Sequence, residues 1–224
     1  MLILSKDFNS RWQPTRFVIA AAVLLLFYSC GLIGISIPAT RDWFLTATPL
    51  NLLLTLGLFL WANNWYPVRF VVVCALVYAL AFFVEVAGVH TQKLFGIYWY
   101  GQTLGVTWFN VPVLIGANWL LLVLCTAGMV QTVKAPAVVR WLLAAILMTA
   151  LDWLIEPVAV QLHFWQWQNG QIPIQNFLGW LVVSFLLQAL LHFAHPQLDK
   201  LICCFVFGLQ VVFFAGLQVV FILS

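Results

Sequence analysis

The chain has 224 residues, of which 65% are hydrophobic and only 7% charged, with a formal net charge of +3. A water-soluble domain carries roughly 25% charged residues, so there is too little charge here to solvate a globule, and the surrounding solvent must be lipid. No Ser-, Gly- or Pro-rich linker, charge block or internal repeat divides the chain, so residues 1–224 are expected to form one integral membrane domain.

At the start of the chain, Lys6, Arg11 and Arg16 precede an apolar run from Phe17 to Ile37. That run exceeds a signal-peptide core of roughly 7–15 residues and suits a retained spanning helix of about 20. Further apolar stretches predict helices over 43–62, 68–88, 111–130, 137–156, 177–195 and 200–223. Pro38, Pro67, Pro112, Pro136, Pro157, Pro173 and Pro196 fall at or near these ends, as expected from proline's missing N–H and its clash with the preceding turn. The expected fold is all-α, a polytopic bundle of about seven transmembrane helices.

Seven spans with the N-terminus inside put Lys6, Arg11, Arg16, Arg69, Lys134, Arg140 and Lys200 on the cytoplasmic side, and only Arg41 and Lys93 outside. This is the positive-inside asymmetry of an N-in, C-out protein of the cell membrane, read here as bacterial. It accounts for the basic charge without a nucleic-acid partner. The five cysteines all lie in apolar stretches with no metal-ligand spacing, where cysteine behaves as a small hydrophobe.

Two long connections fall on the outer side, Val89 to Asn110 and Val158 to Asn176. Both are rich in aromatics and glycine and nearly free of charge. They are expected to be re-entrant, because irregular backbone at membrane depth must be covered by protein.

Of six acidic residues, Glu85, Asp152 and Glu156 lie within predicted spans, where an ionisable group is a functional hypothesis by default. All three sit near the outer ends of their helices. Asp152 and Glu156 are four apart, hence on one helical face, and Pro157 is expected to break the helix beside them. Asn118 in the fourth span and His90 and His163 in the loops are placed to reach the same layer. Some of Phe95, Tyr98, Trp99, Tyr100, Trp108, Trp165, Trp167 and Trp180 fit an interfacial belt, but their density on one side, among glycines, fits a site better. Gln188, Gln210 and Gln218 read as interhelical hydrogen-bonding residues.

An apolar surrounding disfavours the charged form of a carboxyl, and a carboxylic acid kept neutral can protonate a carbon–carbon double bond. Aromatic faces stabilise the resulting cation without offering a nucleophile. The combination suits acid-catalysed addition to, or cyclisation of, a long hydrophobic alkene entering from the bilayer.

Phe95-Gly96-Ile97-Tyr98-Trp99-Tyr100-Gly101, then Leu104-Gly105 and Asn110-Val111-Pro112, resembles the carotenoid biosynthesis membrane proteins of the CruF type. So does Asp152-Trp153-Leu154-Ile155-Glu156-Pro157-Val158-Ala159, continuing through Trp165-Gln166-Trp167, Ile172-Pro173 and Asn176. The resemblance covers roughly residues 80–190 and departs at Gln92, where a glycine is expected after Thr91, so that this turn is expected to be arranged differently. It implies a carotenoid 1,2-hydratase, which adds water across the terminal double bond of an acyclic ψ-end, as in lycopene, γ-carotene or bisanhydrobacterioruberin.

In that reading Asp152 or Glu156 donates the proton, and Glu85 or the remaining carboxylate positions water. Trp99, Tyr100, Trp165 and Trp167 wall the cation, and Asn118 orients a carboxyl or the water. His90, Tyr98, Trp108, His163 and Asn176 complete the expected substrate-binding set. No metal, nucleotide or redox cofactor is expected. The expected partners are a carotenoid and membrane lipid, with other enzymes of the pathway as candidates. The alternatives are a carotenoid cyclase using the same protonation and a membrane carotenoid-binding or transport protein. A prenyltransferase needs cationic residues for a diphosphate, and the carboxyl-rich side offers only Arg41 and Lys93. A retinal photoreceptor needs a lysine midway along the last helix, and Lys200 stands at its start.

Overall fold

The computed structural model describes residues 14–64 and 66–223. Lys6, Asp7 and Arg11 lie outside the described residues.

Helix α1 (Pro14–Ser36) leads into a short α2 (Pro38–Thr46) and then α3 (Thr48–Asn63). The predicted single helix over 43–62 is thus two, meeting at 56°. Pro38 and Pro49 stand in the first turns of α2 and α3, where proline's missing N–H costs nothing. The side chains of Thr40 and Arg41 turn back to donate to the carbonyls of Gly34 (2.8 Å) and Ile35 (2.9 Å), satisfying groups that the end of α1 leaves open.

The remaining helices are α4 (Val68–Thr91), α5 (Leu114–Val130), α6 (Ala137–Gln161), α7 (Ile174–His192) and α8 (Lys200–Leu223). Helices α1, α4, α6, α7 and α8 are long and apolar enough to cross a membrane, and α2 with α3 make a sixth candidate if counted as one bent span. The 17-residue α5 is buried along nearly its whole length and packs against α3, α4, α6 and α8. A helix apolar on all sides belongs at the centre. Two of the glutamines join helices: Gln188 Nε2 donates to the Val123 carbonyl (3.0 Å) and Thr126 Oγ1 (2.8 Å), and Gln218 to the Leu154 carbonyl (2.6 Å).

Helix α6 does not end at Glu156. It runs through Pro157 to Gln161. Proline removes one N–H, the partner of the residue 153 carbonyl, and the next turn closes normally, with Leu162 N bonded to the Val158 carbonyl at 2.9 Å. Val158 and Ala159 are fully buried, and that packing keeps the turn after proline helical.

The two long connections, expected to fold back into the bundle, carry short strands. They pair with each other. Strand β1 (Tyr98–Tyr100) runs antiparallel to β4 (Trp165–Trp167), with Tyr98 opposite Trp167 and Tyr100 opposite Trp165. The ladder continues at both ends through Gly101 N to the Phe164 carbonyl and Gln168 N to the Ile97 carbonyl, each 2.9 Å. Pairing satisfies the backbone groups that a lone loop would leave open. Gly101 permits it, since a Cβ there would lie 2.0 Å from the His163 carbonyl oxygen. A second ribbon joins β2 (Thr107–Trp108) to β3 (Val111–Pro112) through Phe109 and Asn110, both at positive φ, as a two-residue hairpin turn requires. Val111 and Pro112, expected in the fourth helix, belong to this ribbon. Gln92, where glycine was expected, keeps a left-handed turn: it caps α4 at φ +59°.

Candidate active site

Side chains alternate across a strand, so Tyr98 and Tyr100 share one face of the β1–β4 ribbon with Trp165 and Trp167. That face meets the three carboxyls. Glu85 Oε2 accepts from the hydroxyls of Tyr98 (2.5 Å) and Tyr100 (2.8 Å), and Oε1 from the indole N–H of Trp119 (2.9 Å). Glu156 Oε2 accepts from the indoles of Trp165 (3.0 Å) and Trp167 (2.8 Å). Asn176 Nδ2 bridges Glu156 Oε1 (3.0 Å) and Asp152 Oδ2 (2.9 Å), while among the described residues Asp152 Oδ1 has no partner. Glu85, Asp152 and Glu156 are 4%, 1% and 1% exposed, so the carboxyls are shielded and every one of these donors is neutral.

Burial, and then the Glu85 carboxylate, push the Tyr98 and Tyr100 phenols well above their ordinary value of 10.0. They therefore stay protonated and remain donors.

Glu85, Glu156, Asn118, Asn176 and Trp119 line a small cavity beneath the ribbon. Asp152 lies off its wall, behind Glu156. At Ile115, Asn118 and Trp165 this cavity adjoins a larger one of about 590 Å³, walled mainly by apolar side chains of α1, α3 and α8 such as Leu26, Phe27, Phe213 and Phe214.

Not every predicted site residue reaches the carboxyls. Trp99 lies on the opposite strand face, 51% exposed, because its neighbours Tyr98 and Tyr100 point inward. Trp108 is 56% exposed and stacks on Phe82 with ring centroids 5.8 Å apart. His90 is exposed, its Nε2 3.2 Å from the Phe109 carbonyl, and His163 is exposed beside Gln166 (3.1 Å). His90 ties the end of α4 to the turn of the second ribbon, and the His163 ring bonds within its own connection. Asn118 is partly buried and lines both cavities, but the amide bonded to the carboxyls is that of Asn176.

Trp119 was missing from the predicted site, though an indole N–H within a membrane helix needs a buried acceptor, and that requirement was its signal. It stacks on Trp180 at 3.9 Å. Among the described residues no three His, Cys, Asp or Glu side chains are arranged to hold a metal ion. Among the described residues, every oxygen of the three carboxyls except Asp152 Oδ1 already accepts an N–H or O–H donor.

A family model described as carotenoid biosynthesis protein matches residues 44–223. The chain belongs to that family. The match runs from Phe44 to the end of α8 and so includes the three carboxyls, both ribbons and most of the larger cavity wall. No curated protein and no solved structure matches the chain. The family and the several membrane-length helices give it a role in carotenoid biosynthesis and the character of a membrane protein.

Proposed function

We propose that this carotenoid biosynthesis protein is a cofactor-independent hydratase of an acyclic carotenoid end group. The polyene lies in the larger cavity with its terminal isoprene at Ile115, Asn118 and Trp165, and the small cavity, about 20 Å³ and so the size of one water, must widen to bring C2 to Glu156. Glu156, protonated, gives its proton to C2 of the C1=C2 bond, and the tertiary cation forms at C1. Water adds to C1, and its released proton returns to a carboxylate, so the cycle closes without a change in overall oxidation state. Glu85, held by three donors on the same cavity, offsets the cation and aligns the water. The faces of Tyr100, Trp165 and Trp167 border it. Asp152 acts from behind, sharing Asn176 with Glu156.

The observation that carries this reading is the pairing of Glu85 and Glu156 on one shielded cavity, each fixed by three neutral donors and adjoining an apolar space. Seven crossings with N-in, C-out orientation, one membrane unit over residues 1–224 and a bacterial cell membrane complete the proposal. Counting α2 with α3 as one span and α5 as another gives that number.

The test is expression in a host that accumulates lycopene or γ-carotene, with pigments separated by chromatography and weighed. A new, more polar pigment heavier by one water is expected. A new pigment of unchanged mass would indicate a cyclase, and unaltered pigment beside folded protein would point to a binding protein.

A further inference from the structure

The larger cavity carries polar groups that the carboxyl site does not use. Gln210 of α8 and Asn51 of α3 both line it. Gln210 is 4% exposed and its side chain bonds the Tyr28 hydroxyl, while among the described residues neither Gln210 Oε1 nor Asn51 Oδ1 finds a hydrogen-bond donor. Tyr28 lines the same cavity and accepts from Thr55 Oγ1 at 3.3 Å. A buried acceptor left unmet costs free energy, and a hydrocarbon polyene has no O–H or N–H to meet it. Water has two. The same cavity extends to Asn118 and to Trp165, whose indole donates to Glu156.

Resting on the hydratase reading, we infer that Asn51 and Gln210 hold the co-substrate water along one side of the polyene cavity and pass it by Asn118 to the cation at C1. They are positioning residues. Their part begins after protonation: the Glu156 O–H bond has broken and the C2–H bond has formed, and water must reach C1 before the cation returns a proton. Without water nearby, a proton goes back from C2 to the carboxylate and the alkene is regenerated. In D2O each such abortive cycle can leave deuterium at C2 of unhydrated carotenoid.

The experiment uses full-length protein in vesicles containing an acyclic carotenoid, in D2O. Wild type is compared with Gln210→Leu and, separately, Asn51→Leu. Mass spectrometry reads deuterium in recovered substrate relative to hydrated product. The expected result is a rise in that ratio of about tenfold in each variant, with the pigment still bound. A general packing defect would lower exchange and hydration together, so an unchanged ratio, at any total rate, overturns the inference. If one variant does not fold, the other decides. A wild-type protein that neither exchanges nor hydrates would sink the hydratase reading itself, whereas normal hydration with unchanged ratios in the variants would sink only the water route.

Discussion

Tyr98 stands directly opposite Trp167 in the antiparallel ribbon, and the two donate to different carboxyls, Glu85 and Glu156. Their rings lie 5.0 Å apart between centroids. One cross-strand pair therefore fixes the spacing of two acids carried by separate helices, α4 and α6. The ribbon works as a template for the site, not only as a cover.

Glu156→Gln is expected to abolish hydration, because Glu156 lines the cavity and an amide has no acidic proton to give. Asp152→Asn, off the cavity wall, is expected to slow the reaction and leave measurable product. Pigment analysis on equal amounts of folded protein checks both. Full activity in Glu156→Gln would remove it as the acid.

Trp167→Phe keeps the ring and deletes the N–H that Glu156 accepts at 2.8 Å. A hydrogen bond to a charged group contributes about 1.5–3 kcal/mol. If that bond is felt fully in the transition state, the hydration rate falls by roughly ten- to a hundredfold. Trp99→Phe, on the other strand face, is expected to change the rate less than about twofold, well within a single kcal/mol. Equal losses in the two variants would mean that strand alternation does not decide which aromatic matters.

Gly101→Ala places a methyl group 2.0 Å from the backbone oxygen of His163. Backbone cannot yield as a flexible side chain can, so β1 and β4 must separate. Far-ultraviolet circular dichroism should keep its helical signal while activity and near-ultraviolet Trp signals are lost. Retained activity would show that the ribbon tolerates separation.

Gln92→Gly removes the steric cost of about 1–2 kcal/mol that an L-residue meets in the left-handed region. Part of the gain is offset by glycine's greater chain entropy. Thermal unfolding in detergent is expected at a higher temperature than for the parent, by roughly 2–4 °C if about 1 kcal/mol survives in a chain of this size. A lower unfolding temperature would show that the Gln92 side chain contributes more than its backbone costs.

The sequence by itself determined the solvent and marked the candidate acids. With so few charges the chain must be solvated by lipid, its long apolar stretches suit helices because a helix satisfies its own backbone groups there, and the three acids within those stretches fitted a shared site better than separate helix ends facing headgroups. The alternation in Tyr98-Trp99-Tyr100 and Trp165-Gln166-Trp167 was also present as a strand signal. It was masked by the expectation of re-entrant loops, since runs this short look the same in either state.

Only the tertiary structure decided which side chains meet. The pairing of two loops separated by more than sixty residues sets whether Tyr98 or Trp99 faces the acids, because a shift of one residue in register exchanges the strand faces. Whether α6 stops at Pro157 depended on the burial of Val158 and Ala159, a packing energy outside the reach of local propensity. The partners Trp119 and Asn176 come from α5 and α7, brought to Glu85 and Glu156 by helix packing. Sequence supplied the donors and acceptors, and three-dimensional proximity matched them.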